Sequence, residues 1–167
     1  KKKLKLLHIR DICLQQSIVF QSSAPDSPKL GQVQLMSWVD VIGRVSFSNC
    51  DPIFDGIDEK WSVLPAPPAW LTGHVLRKDC LTAPIPAADY ALHHEELFLL
   101  PDLGIVSSGD VGSVLLFGSR PLENMRDIAL PSDSSTSKVL LRWALNNRGL
   151  DPKFVDSGPD IDTMLEK

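Results

Sequence analysis

The sequence predicts an α/β fold with a mostly parallel sheet. Two observations carry the prediction. Short apolar runs, many of them closed by proline, glycine or asparagine, alternate along the chain with stretches of helical periodicity. The composition is that of a globular protein, with 43% apolar and 23% charged residues, which excludes wholesale disorder. At 167 residues the chain is the size of one domain or slightly more, and a chain of that length buries roughly two thirds of its unfolded surface.

The elements follow in order. Val41 to Phe47 is rich in β-branched residues and reads as a strand, ended by Asn49, Asp51 and Pro52. Trp61 to Leu64 is a second short strand, stopped by Pro65, Pro67 and Pro68. Pro68 suits the first turn of a helix whose apolar face is Trp70, Leu71, Val75 and Leu76. Cys80 to Ile85 is a strand, and its Pro84 predicts an edge position or an early end. A helical turn follows through Tyr90 and Leu92. Leu97–Leu100 and Leu103–Val106 read as two strands, and Val114–Phe117 as a strand buried on both faces. Asp127–Leu130 is a strand closed by Pro131. Ser134 to Arg148 has helical periodicity through Val139, Leu140, Trp143 and Ala144, with Gly149 where a C-cap belongs. Lys153–Asp156 is a last strand, and a helix begins at Ile161.

Charge and cysteine usage exclude several functions. The net charge of −4 supplies no broad basic field for nucleic acid. No apolar run approaches the ~18 residues of a membrane helix. Cys13, Cys50 and Cys80 are odd in number and form no CxxC pair. That excludes a zinc ribbon or a disulfide framework and fits a reducing compartment, so a cytoplasmic location is expected. The charge is uneven: six Lys/Arg stand against two Asp in residues 1–36, and eleven Lys/Arg against nineteen Asp/Glu thereafter. The basic start is broken by His8, Arg10, Asp11, Gln15 and Gln16, so no secretory signal is expected. Ser22 to Pro28 reads as a linker, and residues 1–36 are expected to lie outside the functional domain.

Glycine-rich phosphate loops, HExxH and GxSxG are absent. The adjacent His93 and His94 do not share a face, which makes a poor metal site, and His74 reads as a surface or boundary residue. Cys50 reads as a small packing residue. Three polar clusters lie where strands run out into turns: Ser46, Ser48 and Asn49; Ser107 to Ser113; and Ser132 to Ser137. Ligands of open α/β sheets sit outside the carboxyl ends of strands. The third cluster also opens a helix, where free N–H groups and the dipole favour an anion. Plain N-capping explains one of its hydroxyls, not four in a row. Alone, no cluster specifies a reaction.

Together the clusters resemble a known family. Gly43-Arg44-Val45-Ser46-Phe47-Ser48-Asn49-Cys50-Asp51-Pro52, the run Ser107 to Phe117, and the strand and hydroxyl-led helix from Ile128 to Leu141 are similar, in wording and order, to the chorismate dehydratase family of menaquinone biosynthesis (the futalosine route). The resemblance spans about Val41 to Lys167. It implies a periplasmic-binding-protein type II-like fold, with two lobes around a cleft. It further implies loss of water from chorismate, giving 3-[(1-carboxyvinyl)oxy]benzoate, with no cofactor and no metal.

On that resemblance, residues 37–125 form the first α/β lobe including the crossover, and 126–167 the start of a second, incomplete lobe. The expected catalytic residue is Asn49, holding the ring hydroxyl or a carboxylate through its amide. The expected substrate-binding residues are Ser48, Ser108, Ser113, Ser135, Thr136 and Ser137. The partner is a small dicarboxylate, chorismate, with no nucleic acid or membrane. No Asp, Glu or His in these motifs is an obvious base, so a substrate carboxylate acting as its own base is open. Two rival readings share the fold: a solute-binding protein for a small anion, and the related dihydroxynaphthoate-forming enzyme of the same pathway. Family members continue well past residue 167, so the fragment alone is expected to be inactive.

Overall fold

The computed structural model describes residues 5–8, 16–21, 37–109, 111–112 and 114–165. In chain order its elements begin with strands β1 (Lys5–His8), β2 (Gln16–Gln21) and β3 (Val41–Val45), then helix α1 (Asp51–Phe54). Strand β4 (Ser62–Ala66), helix α2 (Pro68–Leu76), strand β5 (Thr82–Pro86), helix α3 (Ala87–His93) and strand β6 (Leu97–Ile105) follow. The chain continues through β7 (Leu115–Gly118), β8 (Asp127–Pro131), α4 (Thr136–Asn146), β9 (Lys153–Ser157) and α5 (Ile161–Leu165). They fall into two compact units, one of residues 15–105, the other of 1–14 with 106–167. The alternation of strands and helices is the expected α/β arrangement.

The unit of residues 15–105 holds a five-stranded sheet in the order β4-β3-β5-β2-β6. Strand β3 runs parallel to β4, from Val41↔Ser62 to Val45↔Ala66, and parallel to β5 at Ile42↔Thr82. Strand β2 runs antiparallel to both β5 and β6. The sheet is therefore mixed, not mostly parallel. Its antiparallel member comes from the segment read as lying outside the functional domain. Ser17-Ile18-Val19-Phe20 has strand composition, but the charge and broken pattern around it masked that signal.

Helix α2 covers one face of this sheet. Pro68 stands in its first turn, where a missing N–H costs nothing. Leu71 and Val75, one helical turn apart, are fully buried with Val45, Cys80, Ala83 and Ile85. Burying each such aliphatic side chain stabilises by roughly 1.5–3 kcal/mol. The helix comes close because β3 has a glycine there. A Cβ on Gly43 would stand 2.6 Å from the Ala83 Cβ and 2.9 Å from the Leu71 Cδ2. The buried Thr72 hydroxyl donates to Asp89 at 2.7 Å, tying α2 to α3.

Two expectations change here. Pro84 is not at an edge: it pairs with Ile18 of β2 in a strand that has neighbours on both sides. The strand simply forgoes one donor. Leu97–Leu100 and Leu103–Val106 are not two strands but one, β6. Its register against β2 shifts between Ser17 and Val19, and Asp102 there takes a left-handed φ of 60°. A bulge beside Pro101 absorbs the extra residues.

The second unit contains two small sheets. Strands β1 and β7 pair antiparallel, from Lys5↔Gly118 to His8↔Leu115. Strands β8 and β9 pair parallel, from Asp127↔Lys153 to Pro131↔Ser157, with α4 as their crossover. The core is Leu116, Ile128, Leu130, Leu141 and Leu145, flanked by Leu122, Met125, Leu150 and Phe154. Strand β7 is not buried on both faces, since Phe117 is exposed. The buried face of α4 is Leu141, Ala144 and Leu145, whereas Val139 and Trp143 are exposed. Gly149 ends that helix in the left-handed region (φ 70°). Leu150 N–H donates to Leu145 O at 3.0 Å and Gly149 N–H to Asn146 O at 2.9 Å. This is the paired bonding of a glycine-closed helix end.

No helix among the described residues is long and apolar enough to cross a membrane.

Candidate active site

Strand β3 aims its residues in two directions. Gly43 and Val45 are buried under α2, and strand alternation puts Ile42 and Arg44 on the other face. The strand ends with Ser46 N–H donating to Ala66 O at 3.1 Å. The chain then turns through a 3₁₀ turn, Ser48–Cys50, closed by Cys50 N–H donating to Phe47 O at 3.1 Å. Ser48 and Asn49 are exposed at this carboxyl end of a strand with parallel neighbours. Cys50 points inward at 1% exposure, as its reading as a packing residue requires. Its thiol donates to Asn49 Oδ1 at 3.5 Å. Burial pushes that thiol's pKa up, Asp51 adds to the rise, and Arg44 opposes it. The thiol therefore stays protonated and keeps its donor. With Oδ1 so engaged, the Asn49 amide NH2 keeps two protons to offer a ligand oxygen.

A depression of about 550 Å³ is lined by Arg44, Asp51, Pro52, Phe54, Asp55 and Val63. Arg44 forms an ion pair with Asp51, and its guanidinium carbon lies 5.9 Å from the centre of the Phe54 ring. The Arg44 Nε is buried without a hydrogen-bond partner. Sequence reasoning missed Arg44 and Asp51. The available signal was strand alternation, which sets Arg44 opposite Gly43 and Val45, with an acid seven residues on.

The hydroxyl cluster at the start of α4 belongs to the other unit. Ser135 stands at the N-cap without a side-chain cap hydrogen bond, so capping is not what its hydroxyl does. The Ser134 hydroxyl donates to Ser137 Oγ at 2.9 Å, which leaves Ser137 its own proton to donate. Ser134 to Ser137 are half-buried. Ser132 N–H donates to Ser157 O at 3.0 Å, fixing the entry to the helix against β9. Lys138 bonds Asp156 at 2.8 Å and draws that carboxyl below its ordinary pKa.

Ser108 is exposed just after β6, next to Gly109 in a left-handed conformation (φ 96°). Ser113 lies outside the described residues. The structure thus brings Ser48 and Asn49 together in one unit, and Ser135, Thr136 and Ser137 together in the other, which also carries Ser108. Among the described residues no group of three or more His, Cys, Asp or Glu gathers as a metal would require. His93 reaches Glu96 at 3.2 Å, while His94 turns back to Ala91 O at 3.1 Å. His74 pairs with Asp79 at 2.8 Å at the end of α2.

A family model described as menaquinone biosynthesis matches residues 41–167. The chorismate dehydratase of Thermus thermophilus is 31% identical over 115 residues, covering 68% of this chain and 42% of that protein. The chain thus spans less than half the length of the curated relative it matches. The matched region opens at β3, whose exit carries Asn49, and takes in the hydroxyl-led start of α4. The chain belongs to the menaquinone biosynthesis family.

Proposed function

We propose that the whole protein of which this chain supplies the matched region is a chorismate dehydratase. It converts chorismate to 3-[(1-carboxyvinyl)oxy]benzoate and water, as a cytoplasmic hydro-lyase of the futalosine route. The observation that carries the reading is the 31% identity to a chorismate dehydratase over 115 residues, together with the menaquinone biosynthesis match over residues 41–167, which takes in β3, its Asn49 turn and the start of α4. A ring proton and the ring hydroxyl leave together as water, and the ring becomes aromatic. Aromatisation supplies much of the driving force, so positioning and hydrogen bonds to the departing oxygen are the help the reaction needs.

Each residue then has a role. The Asn49 amide NH2 donates to the departing hydroxyl or a carboxylate, with Ser48 beside it. Ser135, Thr136 and Ser137, with the N–H groups of the first turn of α4, hold a substrate carboxylate. Ser108 and Ser113 complete the carboxylate contacts. A type II binding-protein-like architecture with two lobes is part of this proposal for the whole protein. No cofactor takes part, and a substrate carboxylate takes the proton.

The test is to incubate the full-length protein with chorismate and follow the aromatic product by chromatography and ultraviolet absorbance. Product formed in step with chorismate lost is expected. Binding without turnover would instead identify a solute-binding protein. Asn49→Ala is expected to lower kcat by about a hundredfold, the scale of one lost transition-state donor, with the melting temperature nearly unchanged. Equal loss of stability and turnover would reduce Asn49 to a turn residue.

A further inference from the structure

We infer that Arg44 is a positioning residue for Asn49, locking the turn that carries Asn49 onto strand β3 through its ion pair with Asp51. This rests on the assignment of Asn49 above and goes one residue beyond it. Between the end of β3 and the start of α1 the chain has little else to hold it. Ser46, Phe47, Ser48 and Asn49 are all exposed. Main-chain bonds tie the entry, from Ser46 N–H to Ala66 O, and the turn itself, from Cys50 N–H to Phe47 O. The exit is held by side chains. Cys50 is plugged into the core, and Asp51 is paired with Arg44, seven residues earlier on the strand. Arg44 also lies against Phe54 at the far end of α1. The pair therefore closes the loop back onto the sheet on the side opposite Cys50. With both clamps closed, the Asn49 Oδ1 is held against the Cys50 thiol and its amide direction is fixed.

The buried, unpartnered Nε of Arg44 supports a role beyond stability. An orphaned buried donor carries a desolvation cost. A lysine has no N–H along its stem and still reaches as a point charge. What lysine lacks is a planar guanidinium that bonds Asp51 and lies against Phe54 at once, and that joint contact is what the turn uses.

The test uses the full-length protein and the variants Arg44→Met, Arg44→Lys, Asp51→Asn and the double variant Arg44→Met with Asp51→Asn. Arg44→Met and Asp51→Asn are each expected to lower kcat for chorismate roughly tenfold with KM changed less than about twofold, the pattern of lost positioning in the transition state. The double variant is expected to be no worse than either single one, because both remove the same pair. Arg44→Lys, which keeps the charge and loses the fork, is expected to fall between Arg44→Met and the unaltered protein in kcat. Independently of turnover, hydrogen exchange at the Cys50 amide is expected to speed up roughly tenfold in Arg44→Met, as the turn opens more often. Should Arg44→Met fail to fold, Asp51→Asn, which keeps shape, decides alone. Unchanged kcat and unchanged Cys50 exchange overturn the lock, while a loss in Asn49→Ala leaves the assigned reaction standing. A raised KM at constant kcat also overturns it, since Arg44 would then bind substrate directly. A full-length protein that does not turn over chorismate, with Cys50 exchange still quickened, overturns the assigned reaction and keeps the lock.

Discussion

At the scale of single residues, Gly43 and Asn49 stand six positions apart on one strand and its exit, and the first determines where the second can stand. Gly43 opens the motif that carries the family resemblance, and its reason is a matter of space. A methyl there would press on Ala83 at 2.6 Å and on Leu71 at 2.9 Å, with Cys80 Sγ at 3.2 Å. Ala83, Leu71 and Cys80 are all fully buried, so none can swing into solvent. Gly43→Ala is expected to destabilise the unit by about 1–3 kcal/mol, the usual cost of overpacking a closed core. The midpoint of chemical denaturation measures it. A change within about 0.5 kcal/mol, the range of ordinary surface substitutions, would mean that α2 shifts freely over β3. Neither Gly43 as a packing residue nor Arg44 as a partner of Asp51 was legible in the sequence. Strand alternation sets Arg44 on the face opposite Gly43 and Val45, but what each residue meets across the sheet or the turn is not in the local pattern.

At the scale of elements, helix α4 separates what local signals determine from what they do not. Its two ends were legible. The hydroxyl run marks the start, and Gly149 marks the end with φ 70°. A Cβ on Gly149 would meet nothing within 4 Å, so Gly149→Ala should cost only the left-handed backbone penalty, about 1 kcal/mol. A thermal shift of a few degrees in that variant checks it. Lys78, φ 63°, already occupies the matching place after α2. Its N–H donates to Val75 O at 3.0 Å, and Asp79 N–H to His74 O at 2.9 Å. The buried face of α4 was legible only in part, at Ala144. Val139 and Trp143 look like core residues in sequence, yet Leu141, Ala144 and Leu145 are the ones buried, because apolar residues almost encircle the helix. Sheet order escaped for a similar reason. Pairing of β2 with β5 and β6 is a long-range choice, and the bulge in β6 looked like a break between two strands. The functional expectation for α4 is that its first turn binds a carboxylate. Thr136→Val keeps shape and removes a donor, so KM for chorismate should rise several-fold, the scale of about 1 kcal/mol, with little loss of stability. Unchanged KM would count against the site.

At the scale of the whole molecule, the proposed reaction draws on two groups of candidate residues. Ser48 and Asn49 belong to the unit of residues 15–105, and Ser135, Thr136 and Ser137 to the other. Enclosing walls exclude water from a small substrate and strengthen each hydrogen bond to it. The curated relative has more than twice the aligned length available to build those walls, since the matched region covers 42% of it. Large apolar side chains stand exposed, among them Trp143 at 59% and Leu92 at 78%. A protein confined to residues 1–167 is therefore expected to consume chorismate at least about a hundredfold more slowly than one spanning the relative's full length. That is the scale on which misplacement of binding groups acts. The two proteins are purified side by side and assayed for the aromatic product at equal concentration. Because exposed apolar surface drives association, the shorter chain is also expected to sediment as larger species. Comparable rates from the two would sink the two-lobe proposal, since one wall would then suffice. A slow, monodisperse short chain would keep the need for both walls and locate the loss in catalysis, with the exposed apolar residues left as ordinary surface.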